Sequence, residues 1–143
     1  MKKLIKLISI IVVVIGLIVF ISFVNHKIKL KDEDALFKTN GKIVEVNGHH
    51  MNVYLSGNPN SDFTLVFMSG AGTCSPTLDF KTLYSLFEKD YQIAVVEKAG
   101  YGFSDISDIS RDIDTILFET RESLNQAGVT NHKYILFPHS MSG

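Results

Sequence analysis

The chain has 143 residues, a formal net charge of −1 and a hydrophobic content of 45%. So even a charge balance excludes an electrostatic grip on nucleic acid, and a single cysteine, Cys74, excludes an intrachain disulfide framework. No Cys/His cluster has zinc-site spacing, and the sequence implies no structural metal and no cofactor.

The first element is MKKLIKLISIIVVVIGLIVFISFVNHK. Lys2, Lys3 and Lys6 open it, and Leu7 to Val24 carries no charge. A helix needs about 20 apolar residues to cross the hydrocarbon core, and lipid makes the backbone satisfy its own hydrogen bonds whatever the Ile and Val content. A cleaved signal peptide would have a shorter apolar region and a small-x-small cleavage site. FISFVNHK offers no such site, so residues 1–25 are expected to be one uncleaved transmembrane helix, in contact with the lipid bilayer through residues 7–24. The slight excess of positive charge before the helix, against Lys27, Lys29 and Lys31 after it, points to a single-pass cell-membrane protein with its globular part outside. Residues 26–40 are polar and charge-rich and read as a linker. The domain begins at residue 41.

GKIVEV and MNVYLSG read as two strands of a hairpin turning at Asn47-Gly48, a strong short-range hairpin signal. DFTLVFM, Asp62 to Met68, is an almost continuous apolar run, as expected of a strand buried on both faces. In TLDFKTLYSLFEKD the residues Leu78, Phe80, Leu83, Leu86 and Phe87 approach helical spacing, with Pro76 just inside the start. YQIAVVE, Tyr91 to Glu97, is a further buried strand. A second helix is expected around Arg111 to Gln126, with Ile113, Ile116, Leu117 and Leu124 as its apolar stripe and Gly128 as its stop. KYILF, Lys133 to Phe137, is the last strand. Strands alternating with helices imply an α/β fold with a parallel sheet and right-handed crossovers.

In open α/β sheets ligand sites form beyond the carboxyl ends of strands, and three suggestive stretches fall there: 69–75, 97–105 and 138–143. Ser140 follows the last strand in the pattern small-x-Ser-x-small, with His139 and Met141 between. That arrangement suits a nucleophile elbow, in which small flanking residues let the hydroxyl project from a tight turn. The N–H of Met141 would then point at a developing oxyanion. Read blandly, SMSG is only a polar turn or a helix cap. Gly70 and Gly72 would let the backbone of the 69–75 loop turn toward a substrate oxygen.

VFMSGAG, VVEKAGYGFSD and FPHSMSG, in this order and spacing, resemble the α/β-hydrolase superfamily from about Gly41 onward. The middle stretch is similar to that family's Asp-Arg-x-Gly-Tyr-Gly-x-Ser-Asp turn, with Glu97 and Lys98 in the first two places. The resemblance implies the N-terminal half of an α/β-hydrolase sheet, a hairpin and then parallel strands with crossover helices. It makes Ser140 the nucleophile and the N–H groups of Met141 and Ala71 the oxyanion donors, acting on an ester, thioester or amide of a small-molecule acyl substrate. Ser69-Gly70 stands where the family often has His-Gly, and Pro138 and Ser142 stand where its elbow commonly has glycine. A serine at the elbow separates the chain from the dehalogenase and epoxide-hydrolase branches, which use aspartate there.

The family places its acid and then its histidine after the serine, where this sequence has three residues. The expectation is therefore an N-terminal portion of a serine hydrolase, inactive by itself. His139 is expected to point away from Ser140, and His49, His50 and His132 to be solvated or structural. Cys74 is expected to be a small packed residue. The alternative is a non-catalytic membrane-tethered binding protein. A dinucleotide-binding form of it would use Gly70-Ala71-Gly72-Thr73-Cys74-Ser75 as an incomplete G-x-G-x-x-G, with Glu97 as the ribose-binding acid.

Overall fold

The computed structural model describes residues 2–34, 37–129 and 133–143; His132 lies outside them. The chain divides into two units, residues 1–38 and 39–143. The first holds one helix, α1 (Lys2–Asp34), long and apolar enough to cross a membrane by length and composition. The helix does not stop at residue 25. Residues 26–34, read above as part of a linker, continue it, because Lys-rich sequence is compatible with helix once a long apolar segment has nucleated it.

The second unit is a five-stranded sheet in the order β1-β2-β4-β3-β5. β1 (Lys42–Val46) and β2 (His49–Gly57) form the expected hairpin. Asn47 and Gly48 both take positive φ, 55° and 80°, the two-residue turn whose twist matches that of the strands. β2 pairs antiparallel with β4 (Gln92–Glu97). β3 (Thr64–Met68) then runs parallel to both β4 and β5 (Tyr134–Pro138).

Alternation along the central strands divides the core in two. On one face Val66, Ala94, Val96, Met51 and Val53 pack with Leu124, Ala127 and Val129. On the other, Leu65, Phe67, Ile93 and Val95 pack with Tyr84, and Phe80, Phe87 and Phe137 join them. Phe67 is fully buried, stacks on Phe137 at 4.7 Å between ring centroids and lies 5.5 Å from Phe80.

Both helices of this unit depart from their expected apolar faces. The 76–87 stretch winds as two single turns, α2 (Pro76–Asp79) and α3 (Lys81–Tyr84), broken at Phe80. Phe80, Tyr84 and Phe87 turn inward to the Phe67 cluster, leaving Leu78, Leu83 and Leu86 exposed. Aromatic packing has decided the path rather than helical period. The second helix, α4 (Ile113–Gln126), is capped by the Asp112 side chain, which accepts from Thr115 N at 2.8 Å. It buries Glu119, Thr120, Ser123 and Leu124, whereas Ile113 is 82% exposed. The rotation follows from Glu119, which is buried against Arg111 (2.7 Å) and lies 3.7 Å from His49 at the start of β2. A buried carboxylate is tolerated only when paired, so that pair and the small residues Ser123 and Ala127 set the contact face. Lys42 Nζ donates to Ala127 O at the far end of α4 (2.6 Å), completing its attachment to the hairpin.

Phe67→Ala removes the ring at the centre of the second cluster and should cost about 3–5 kcal/mol. Urea denaturation of the purified chain checks it; Leu83→Ala, on an exposed side chain, should change stability by less than about 1 kcal/mol.

Candidate active site

Ser140 sits two residues beyond the end of β5. His139 is still extended (φ −116°, ψ 129°) and its N–H donates to Met68 O at 3.0 Å, carrying the β3–β5 register one residue past the strand. The chain then reverses at Ser140, whose φ is 55°. A single 3-10 turn over Ser140–Ser142 follows, held by Ser142 N to His139 O (3.2 Å) and Gly143 N to Ser140 O (3.1 Å). A left-handed backbone at a non-glycine residue costs about 1–3 kcal/mol and persists only where its surroundings over-determine it. Ser140 itself is exposed, as a projecting hydroxyl must be.

The loop after β3 meets this turn directly. Gly70 is buried, and a Cβ placed on it would lie 2.7 Å from Ser140 Cβ and 3.1 Å from His139 Nδ1. Ala71 comes next, exposed, and its N–H donates to no acceptor among the described residues. The structure therefore brings together the three residues singled out by sequence: Ser140, Met141 beside it in the turn, and Ala71 beside the glycine on which Ser140 rests. His139 turns its ring edge-on to Phe80, 6.4 Å between centroids.

The third stretch supports the loop from behind. Glu97, the last residue of β4, is fully buried. Its carboxylate accepts from Thr77 Oγ1 (2.8 Å), Asn52 Nδ2 (3.0 Å) and Phe103 N (2.7 Å), so it is committed within the fold and does not present itself to a ribose. The short α2 likewise gives no long helix behind the 70–75 loop, and the dinucleotide-binding reading is overturned on both counts. Gly102 N donates to Cys74 O (3.1 Å), tying the GYGFSD turn to the same loop. Gly102 has φ 53°, and any side chain there would overlap the Glu97 carboxylate. Cys74 is exposed, not packed.

Three features were missed in the sequence. Lys98 Nζ donates to Ser69 O (2.7 Å) and Ser142 Oγ (2.9 Å), and Ser142 Oγ donates to the same carbonyl (2.6 Å). Burial, and to a lesser degree Arg111, lowers the Lys98 ammonium below the ordinary lysine value. Near the same end of the sheet, Asp105 accepts from His50 N and pairs with His50 Nδ1, both at 2.9 Å. These hydrogen bonds, that of the backbone N–H foremost, hold Asp105 below the usual carboxylate range. Lastly, an apolar cavity of about 570 Å³ opens between α4 and β5, lined by Ile113, Leu117, Leu136 and Met141 among others, with Lys98 at its side. The one available signal for the Lys98 cluster was the place of Lys98 itself, second in the 97–105 motif directly after a buried strand.

Two outcomes follow. Ser140→Gly should keep or raise the melting temperature, because glycine adopts φ 55° without strain, whereas Ser140→Val should lose about 1–3 kcal/mol. Thermal denaturation of both variants tests whether the turn is imposed by the fold. A depressed carboxylate contributes stability above its unfolded value, here 3.8, and loses it as pH falls through the lower folded value. Melting temperatures of Asp105→Asn and the native chain should thus differ at pH 5 and converge as the pH drops below 3.8.

No protein-family model matches the chain. An uncharacterised protein of Bacillus subtilis (strain 168), YbdG, is 44% identical over 142 residues, which is 99% of this chain and 43% of that one. Among solved structures, the thioesterase domain from the curacin biosynthetic pathway superposes with a TM-score of 0.61 at 17% identity, covering 74% of this chain and 37% of that domain. An epoxide hydrolase from Vigna radiata gives 0.59 at 20% identity, covering 72% and 32%. The chain thus spans less than half the length of each of these proteins. With the hairpin, the β1-β2-β4-β3-β5 order and the turn after β5 all in place, residues 39–143 have the α/β-hydrolase fold as far as its fifth strand.

Proposed function

We propose that this chain is the N-terminal portion of a membrane-anchored serine hydrolase that cleaves an ester, thioester or amide through an acyl-serine intermediate. The observation that carries the reading is the left-handed Ser140, exposed at the end of β5 and braced against Gly70. A fold maintains such a conformation at a non-glycine residue where it serves to aim a side chain. α1 would be the anchor, with the globular unit on the external side.

In the proposed reaction Ser140 Oγ attacks the acyl carbon while its proton passes to a base. The carbonyl π electrons move onto oxygen, where the N–H groups of Ala71 and Met141 stabilise the negative charge. Collapse expels the alcohol, thiol or amine, which takes the proton from the base. Water then attacks the acyl-serine by the same route, releasing the acid and restoring Ser140. In this reading the described histidines of the globular unit do not supply the base. His139 packs on Phe80, and His49 and His50 are on β2, separated from β5 by β4 and β3. The acid and histidine would come from polypeptide after Gly143; the matched stretch is 43% of the Bacillus subtilis relative, which leaves room in a protein of that length for such a segment. The thioesterase neighbour acts on a class of bond this reading includes; the epoxide-hydrolase neighbour shares the fold and supports no more than that.

The test compares the purified chain with a fusion that continues it with the remaining part of the Bacillus subtilis relative. Residues 1–143 alone should hydrolyse a short-chain aryl ester no faster than buffer. The fusion should turn it over, and Ser140→Ala in the fusion should remove at least about a thousandfold of the rate. Equal rates with and without Ser140 would overturn the assignment, and an inert fusion that folds would favour the non-catalytic binding protein.

A further inference from the structure

Lys98 takes no part in the proposed reaction, yet it stands where three segments meet. It follows β4 directly. Its ammonium donates to Ser69 O at the root of the 69–75 loop and to Ser142 Oγ in the turn after β5. Ser142 Oγ closes a triangle by donating to Ser69 O. The Nζ atom also lies 5.3 Å from the centroid of the Tyr101 ring, in the GYGFSD turn. No carboxylate among the described residues lies within ion-pair distance of it. A half-buried ammonium with a carbonyl, a hydroxyl and a ring as partners gives up hydration without the return of an ion pair, and the lowered proton affinity reports that cost. What this placement supplies is a fixed geometry between loop and turn.

We infer that Lys98 is a positioning residue that locks the 69–75 loop to the 140–143 turn through Ser69 O and Ser142 Oγ, so that the N–H groups of Ala71 and Met141 converge on one point. The functional meaning rests on the hydrolase reading above; the mechanical claim does not. Oxyanion donors act only when aimed at the position the oxyanion will occupy, and misplacement by about 1 Å can cost a hundredfold in rate. The two donors here belong to different segments. The sheet register aligns Met68 with Pro138 but ends before either donor. Gly70 prevents a collision without holding anything together. Among the described residues, the triangle at Lys98 supplies the hydrogen bonds that join the 69–75 loop to the 140–143 turn beyond that register.

Backbone order parameters from ¹⁵N relaxation, on the whole chain in detergent micelles, read this without any turnover. In the native protein Gly70–Gly72 and Ser140–Ser142 should be rigid, near 0.85, and in Lys98→Met both should fall below about 0.6 while Val66 and Val95 stay unchanged. Lys98→Arg, which can still donate to two acceptors, should restore both. Ser142→Ala, which leaves the charge in place, should loosen both segments to a smaller degree and covers the case in which Lys98→Met does not fold. Loss of order in one segment only, parallel loss in the strands, native segments already below about 0.6, or an arginine variant no better than methionine would each overturn the inference. A fusion that folds yet stays inert toward esters, beside the predicted relaxation pattern in this chain, would sink the hydrolase reading and leave this one standing.

Discussion

A side chain at position 70 would bring its Cβ within 2.7 Å of Ser140 Cβ, so the loop after β3 and the turn after β5 can coexist only while residue 70 is bare. Most of the site depends on that approach. β3 and β5 run in parallel register as far as Met68 and Pro138, and His139 N to Met68 O prolongs it. The next residue has to leave the sheet at once, and the left-handed backbone of Ser140 is the way it does so. Strain of this kind is stable only when neighbouring contacts leave no alternative. Here the ladder fixes the residue before the turn, and the Ser69–Lys98–Ser142 contacts fix the residues after it.

The loop's other boundary is electrostatic. Removing an ionised carboxylate from water costs several kcal/mol unless its oxygens find donors. Glu97 finds three, one each from the β2 strand, the start of α2 and the 97–105 turn. Ser104 adds a neutral bridge, donating to Glu97 O (2.6 Å) and accepting from Asn52 N (2.9 Å). A single buried acid thereby holds the hairpin, the loop and the turn in one arrangement, and the absence of a side chain at Gly102 is what lets the turn reach it. The 97–105 motif makes sense as support for the site, and the charge of Glu97 is consumed in that support.

Strand identity and the hairpin were legible because each rests on local rules. Asn47-Gly48 can adopt two successive positive φ values, and the runs at 62–68 and 91–97 have no polar face to present to water. The helices were less legible because their inward faces are chosen by partners distant in sequence. Leu78 and Leu86 satisfy helical spacing yet stay exposed, since the space beneath them is taken by the rings of Phe80, Tyr84 and Phe87. Glu119 looks like a surface residue until Arg111 and His49 are found around it. The two stretches that hold Ala71 and Ser140–Met141 could be picked out by their small residues after apolar strands, and the structure sets them side by side at Gly70. Lys98 was not legible in this way, because hydrogen bonds to Ser69 and Ser142 span 29 and 44 residues and leave no periodic mark.

The expected apolar stripe of α4 points to the last step. Ile113 and Leu117 do not enter the core; they face the cavity beside β5, across from Leu136 and Met141. β5 is also an edge of the sheet. An apolar groove and an unpaired strand edge each promote association when left open, and here they adjoin. In the proposed longer hydrolase, polypeptide continuing from the Ser140 turn would begin at the mouth of this groove, since Met141, Ser142 and Gly143 line it. Covering the groove and reaching Ser140 with an acid and a histidine are then tasks for one stretch of chain. On that reading stability and activity arise together, because the segment that completes the core on the α4 face is continuous with the one that completes the site.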